Sequence, residues 1–161
     1  MEARHVGADH VELLRRWVLA ILVIGLAGTV TELVLLEHYE QLLQLVPVVL
    51  IVAAVAAIAW EATKHSAASL RTLEIVMILF VLSGFAGVAA HFHGSAEFQL
   101  DLDPSMGTWE LIEKILRAKA PPLLAPGMML QMGLLGLAYV YSDVRYRARI
   151  RRVFGLKPEK E

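Results

Sequence analysis

Four separate stretches of this chain stay apolar for about twenty residues each, the length a helix rising about 1.5 Å per residue needs to cross a hydrocarbon layer about 30 Å thick. They cover residues 17–36, 41–60, 73–92 and 120–142. In lipid a single strand would leave its backbone groups unpaired, so each stretch is expected to be helical. The fold expected is all-α: a four-helix transmembrane bundle forming one membrane domain over residues 1–161, with a short amphipathic helix at the interface before the last span. A composition that is 57% hydrophobic agrees, because an ordinary soluble domain of 161 residues carries less.

Orientation follows from Lys and Arg, which gather in cytoplasmic segments. Arg4, Arg15 and Arg16 precede the first span, Lys64 and Arg71 lie between the second and third, and the tail over residues 143–161 is strongly basic. Only Lys114, Arg117 and Lys119 fall in the connection between the third and fourth spans. Both termini are therefore expected in the cytoplasm. Trp17, Trp60, Tyr139 and Tyr141 then lie near the inner interface, where amphipathic rings prefer to sit. The first span is expected to be retained, since it is longer than a signal-peptide core and lacks a clear small-residue cleavage site.

Helices in lipid associate through small residues and a few polar contacts. Gly25 and Thr29, Ala53 and Ala57, Ser83 and Gly87, and Gly133 and Gly136 supply small faces on successive spans. The third of these leads to His91, which is expected to face other helices. Gln131, near the middle of the last span, is expected to hydrogen-bond across helices. Pro47 falls inside the second span, where it is expected to bend the helix, and Pro126 near the start of the fourth, where its missing N–H matters least.

The long connection between the third and fourth spans divides in two. The chain is expected to leave its helix at Gly94, and Glu97–Asp103 alternates polar and apolar as an extended segment would. Over residues 108–119, Trp109, Ile112, Ile115 and Leu116 recur at helical spacing, and Glu110/Lys114 and Glu113/Arg117 form i,i+4 pairs. This segment reads as the interfacial amphipathic helix. Asp101, Asp103 and Ser105 resemble the start of a calcium loop, but Pro104 intrudes and Ile112 stands where a bidentate Glu is required.

Ionisable groups within spans are costly and default to a functional or paired role. Glu32 lies little more than a turn inside the outer end of the first span, followed by Glu37 and His38, while His91, His93 and Glu97 come from the outer end of the third. Imidazole with carboxylate is a ligand set for a transition metal, and His38 with His91 could hold a haem between two helices. Glu32, His38, His91 and His93 are thus candidate ligands, with Glu37 and Glu97 assisting. His91 and His93 point about 160° apart on a helix, so both reach one ion only if the helix ends there. The same groups also suit a proton-titrating site or plain polar packing, and the pattern leaves all three open. Glu61 and His65 are also four apart, at the inner end of the second span, where a local hydrogen bond is the simpler reading.

No glycine-rich phosphate loop or Ser/His/Asp grouping appears, and the absence of Cys removes thiolate ligands and nucleophiles. A formal net charge of −1 provides no general field for nucleic acid. The tail arginines Arg147, Arg149, Arg151 and Arg152 are instead placed to contact anionic lipid. The stretches TELVLLEHYE (31–40), AEFQLDLDPSMGTWEL (96–111) and APGMMLQMGLLGLAYVY (125–141) resemble a group of small bacterial four-span membrane proteins of uncharacterised activity. That resemblance implies the bacterial inner membrane and no particular chemistry. Three functions follow as expectations: a non-enzymatic accessory or scaffold protein working as a homo-oligomer or in a larger complex, a metal- or haem-binding redox protein, and a proton-coupled transporter formed by oligomerisation.

Overall fold

A computed structural model describes residues 2–37, 42–117 and 124–153. These contain six helices and no strand: α1 (Glu2–Leu35), α2 (Leu42–Lys64), α3 (Ala67–Leu102), α4 (Thr108–Leu116), α5 (Leu124–Tyr141) and α6 (Val144–Val153). Three of them, α1, α2 and α3, are long and apolar enough to cross a membrane. Each is apolar around most of its circumference, so the burial of one face leaves another apolar face outside. In α1, Leu22, Leu26 and Leu33 are buried while Ile21, Ile24 and Val34 are exposed; in α2, Ile51, Ala54 and Ala57 are buried while Val49, Val52 and Val55 are exposed. Helices that are apolar on every side suit a surrounding that is itself apolar, and this surface is compatible with contact to a lipid bilayer.

The core runs between α3 and its neighbours. Leu73, Met77 and Phe80 of α3 are fully buried, with Met129, Met132 and Val140 of α5 and Leu22 and Leu26 of α1 in the same cluster. The α3–α5 crossing is close enough to require glycine. A Cβ at Gly84 would lie 2.8 Å from the backbone N of Leu130 and 2.9 Å from the carbonyl of Pro126, and one at Gly133 would lie 2.8 Å from the carbonyl of Met77. Gly136 meets the Met77 side chain, Gly87 the ring of Pro126, and Gly25 of α1 the side chain of Met132. Thr29 and Ala57 are buried as their small faces require, whereas His91 is exposed rather than turned into the bundle, and Gln131 is exposed on α5. Pro47 lies within α2, which continues as one helix to Lys64.

The α2–α3 reversal is made by His65, whose φ of 43° is the left-handed conformation, and Ser66. Ser66 caps α3 by accepting from the backbone N–H of Ser69, while its own N–H donates to the Ser69 hydroxyl, both at 3.0 Å. Such a box satisfies two of the donors a helix start leaves open.

At its other end α3 differs from the expectation. It passes through Gly94 and stays helical to Leu102. The reversal comes at Asp103 instead, whose carboxylate accepts from the N–H of Ser105 at 3.0 Å and its hydroxyl at 2.7 Å. These bonds hold the Asp103 carboxyl below the usual carboxylate range. The chain then turns back into α4, with Met106 and Ile115 buried. The expected i,i+4 pairs of α4 both form, Lys114–Glu110 at 3.3 Å and Arg117–Glu113 at 3.0 Å.

Candidate functional site

The residues expected at the outer end sit apart on their helices. Glu32 is exposed on α1, in a shallow groove with Ile24, Gly28, Thr31 and Leu35. Glu37 is exposed and ends the helix with a left-handed φ of 52°. His38 lies outside the described residues. His91 and His93 are both exposed on α3, and because the helix continues past them they project from different sides of it. His93 Nε2 stands 3.2 Å from Glu97 Oε1, a local pair one turn apart with both side chains in the open. Among the described residues no three His, Asp or Glu side chains are grouped as a metal site.

The strongest polar assembly lies at the opposite end of the bundle. There the Glu61 side chain, 2% exposed near the end of α2, accepts a 2.6 Å bond from the hydroxyl of Ser69 in the first turn of α3. Its other oxygen accepts from Nη2 of Arg145 in α6. Nη2 of Arg145 also donates to Asp143 Oδ2 at 2.9 Å and Nε to Asp143 Oδ1 at 3.0 Å, a forked pairing that fixes guanidinium and carboxylate in one plane. Arg15 of α1 reaches the same carboxylate, Nη2 to Oδ2 at 2.7 Å, and its guanidinium lies 4.7 Å from the centre of the Tyr139 ring of α5. The exposed imidazole of His65 stands 3.7 Å from Glu61 at the edge.

Two guanidinium groups thus face two carboxylates, and the formal charges cancel within the node. Burial by itself would raise the Asp143 carboxyl, but the bonds from the Arg145 side chain and backbone and from Arg15 outweigh it and hold the group well below the usual carboxylate range. The same contacts hold the Arg145 guanidinium above its ordinary value against the effect of burial. One turn further along α6, Arg149 lies 3.7 Å from Glu74 of α3. Burial, followed by the Glu74 carboxylate, pushes the Tyr146 phenol up to about 12. Among the described residues, Arg15 Nε and Arg145 Nη1 are buried without an acceptor.

What this arrangement can do chemically is hold. It joins α1 at the start of its apolar stretch, the end of α2, the start of α3 and the α5–α6 junction through charge-assisted bonds in a low-dielectric setting. In the sequence Arg15 counts among the orienting charges and Glu61 as half of a local pair, and Asp143 is not singled out. A usable signal was present: a carboxylate directly after Trp60 and another two residues after Tyr141 bring both acids level with Arg15.

A scan of family models, a search of curated proteins and a search of solved structures each return no match for this chain. The fold and the node define a helical chain with three helices of membrane-spanning length, tied at one end by a buried ionic node.

Proposed function

We propose that the chain is a four-span integral protein of the bacterial inner membrane, with both termini cytoplasmic, that serves as a non-enzymatic accessory or scaffold protein. The observation that carries this reading is the ionic node. It gathers the start of the apolar stretch of α1, the end of α2, the start of α3 and the end of α5 at one level, in keeping with an even number of antiparallel crossings, and it spends the buried charges on joining helices. Arg15, Lys64, Arg71 and the arginines of α6 fall at that same end, in keeping with the distribution of basic residues in cytoplasmic segments. The 18 residues of α5 span about 27 Å at the helical rise, enough for a fourth crossing of a hydrocarbon layer of similar thickness. In this arrangement α4 lies at the outer interface, with Trp109 and Leu116 exposed toward it.

A second reading, a metal- or haem-binding protein using Glu32, His38, His91 and His93, draws on the His93–Glu97 pair at the outer end of α3. One preparation separates the two. Protein purified in mild detergent, examined by native mass spectrometry, elemental analysis and a visible spectrum, is expected to carry a second copy or a protein partner. Near-stoichiometric metal or a Soret band, lost on joint replacement of His38→Ala and His91→Ala, would overturn the scaffold reading in favour of the redox one. A lone monomer without partner would also count against it.

A further inference from the structure

Helix α6 carries five arginines and no acid in ten residues, VRYRARIRRV. Two of them are committed to the bundle: Arg145 to Glu61 and Asp143, and Arg149 to Glu74. Tyr146, between them, packs against the core and lies 4.6 Å, ring to ring, from Tyr141. These contacts fix which side of α6 faces the protein. Helical register then places residues 144, 147, 148 and 151 on the side facing away, at the i, i+3, i+4, i+7 spacing of a single stripe. Val144 is 70% exposed and Ala148 is exposed. That stripe begins three residues beyond the end of α5, so it leaves the bundle level with the ends of the apolar helices.

We propose that the outward stripe of α6, Val144–Arg147–Ala148–Arg151, is a docking surface for the anionic headgroup layer of the cytoplasmic leaflet. The charge is complementary. Small apolar side chains alternate with two register-matched arginines, so the helix can settle at the boundary of headgroup and acyl chain without burying an unpaired charge. An arginine close to an anionic surface gains about fivefold in local association, so two together gain on the order of twenty-five fold. Arg145 and Arg149 hold the helix in place, and helical register sets positions 147 and 151 on its other side, a division that composition alone does not show.

The inference rests on the four-span reading with this end at the cytoplasmic leaflet. Its test uses the full chain, which contains no Cys, so that Ala148→Cys supplies a unique thiol for an environment-sensitive fluorophore. The labelled protein is reconstituted in phosphatidylcholine alone or mixed with phosphatidylglycerol. A blue-shifted emission is expected only with the anionic lipid, reversed by added salt and lost in the Arg147→Gln, Arg151→Gln variant, whose melting temperature in detergent stays at the parent value. Equal emission in both membranes, a shift that survives the double replacement, or one that follows protein density rather than lipid charge would overturn it. Labelling of the same thiol from the outer side would overturn the orientation itself. Labelling from the inner side with no response to lipid charge would overturn the lipid surface alone.

Discussion

Glu61 accepts from Ser69 with one oxygen and from Arg145 with the other, so truncating it removes both bonds, while Arg145 keeps its forked pair with Asp143 and the Ser69 hydroxyl keeps the carbonyl of Ser66. Losing a hydrogen bond to a charged group of this kind costs about 1.5–3 kcal/mol. Glu61→Ala is therefore expected to lower the detergent melting temperature sharply, whereas Glu32→Ala, at an exposed position, should stay within about 0.5 kcal/mol of the parent. Equal effects at the two sites would show that the node is not what holds this end. Asp143 adds a pH dependence. Its carboxyl is held below the usual carboxylate range in the folded state, so its contribution is fully present above that range and is lost as pH falls through the folded value. Thermal stability of the parent should therefore decline in acid below about pH 4, and Asp143→Asn should be less stable at neutral pH with a flatter acid limb. A melting series in acid detergent buffers reads both slopes.

At the scale of elements, the crossing of α3 and α5 is fixed by backbone contact. A methyl at Gly84 or Gly133 meets main-chain atoms of the other helix, which cannot swing aside as a side chain does. Alanine at either position is expected to destabilise by about 1–3 kcal/mol, the range for overpacking a tight interface. At Gly28 a Cβ meets nothing within 4 Å, so Gly28→Ala should be neutral or mildly stabilising. Chemical or thermal unfolding of the three variants in one detergent makes the comparison. Small residues on α1, α3 and α5 were legible in sequence because close helix contact in lipid demands them, although Gly84 itself was not picked out. The end of α3 was not legible. Between Glu97 and Asp103 the alternation of polar and apolar residues fits an extended strand, but Phe98 and Leu102 are also one helical turn apart, and seven residues cannot separate the two periods. Only the Asp103–Ser105 turn and the packing of Ile115 decide the matter, and both depend on the chain folding back. The candidate site turns on the same ambiguity. Placing His91 and His93 on one ion depended on the helix ending between or just after them, and it does not end there.

Across the whole molecule, the long apolar helices could be read directly because a hydrocarbon layer sets a length that composition reveals. The node could be read only in part: Trp60 and Tyr141 set Glu61 and Asp143 level with Arg15, but the pairing among residues 15, 61, 69, 143 and 145 is a product of the fold. These two levels make one joint demand. If α1, α2, α3 and α5 all cross, the end holding Arg15, Glu61 and Asp143 and the end holding the α3–α4 turn lie on opposite faces of the membrane. The chain has no Cys, so single thiols at Lys64 and Ser105 can be probed with a membrane-impermeant maleimide on sealed cells. Ser105→Cys is expected to react from outside and Lys64→Cys only after permeabilisation, both positions being exposed. If both thiols react from the same side, α3 does not cross. If Lys64→Cys alone reacts from outside, the helices cross with the opposite orientation, and the distribution of basic residues has been overridden. The node gives this experiment a control that topology mapping usually lacks: with Glu61→Ala α2 loses its tie to α3 and α6, so the labelling pattern should persist while the melting temperature falls, separating what the bilayer imposes from what the ionic contacts add.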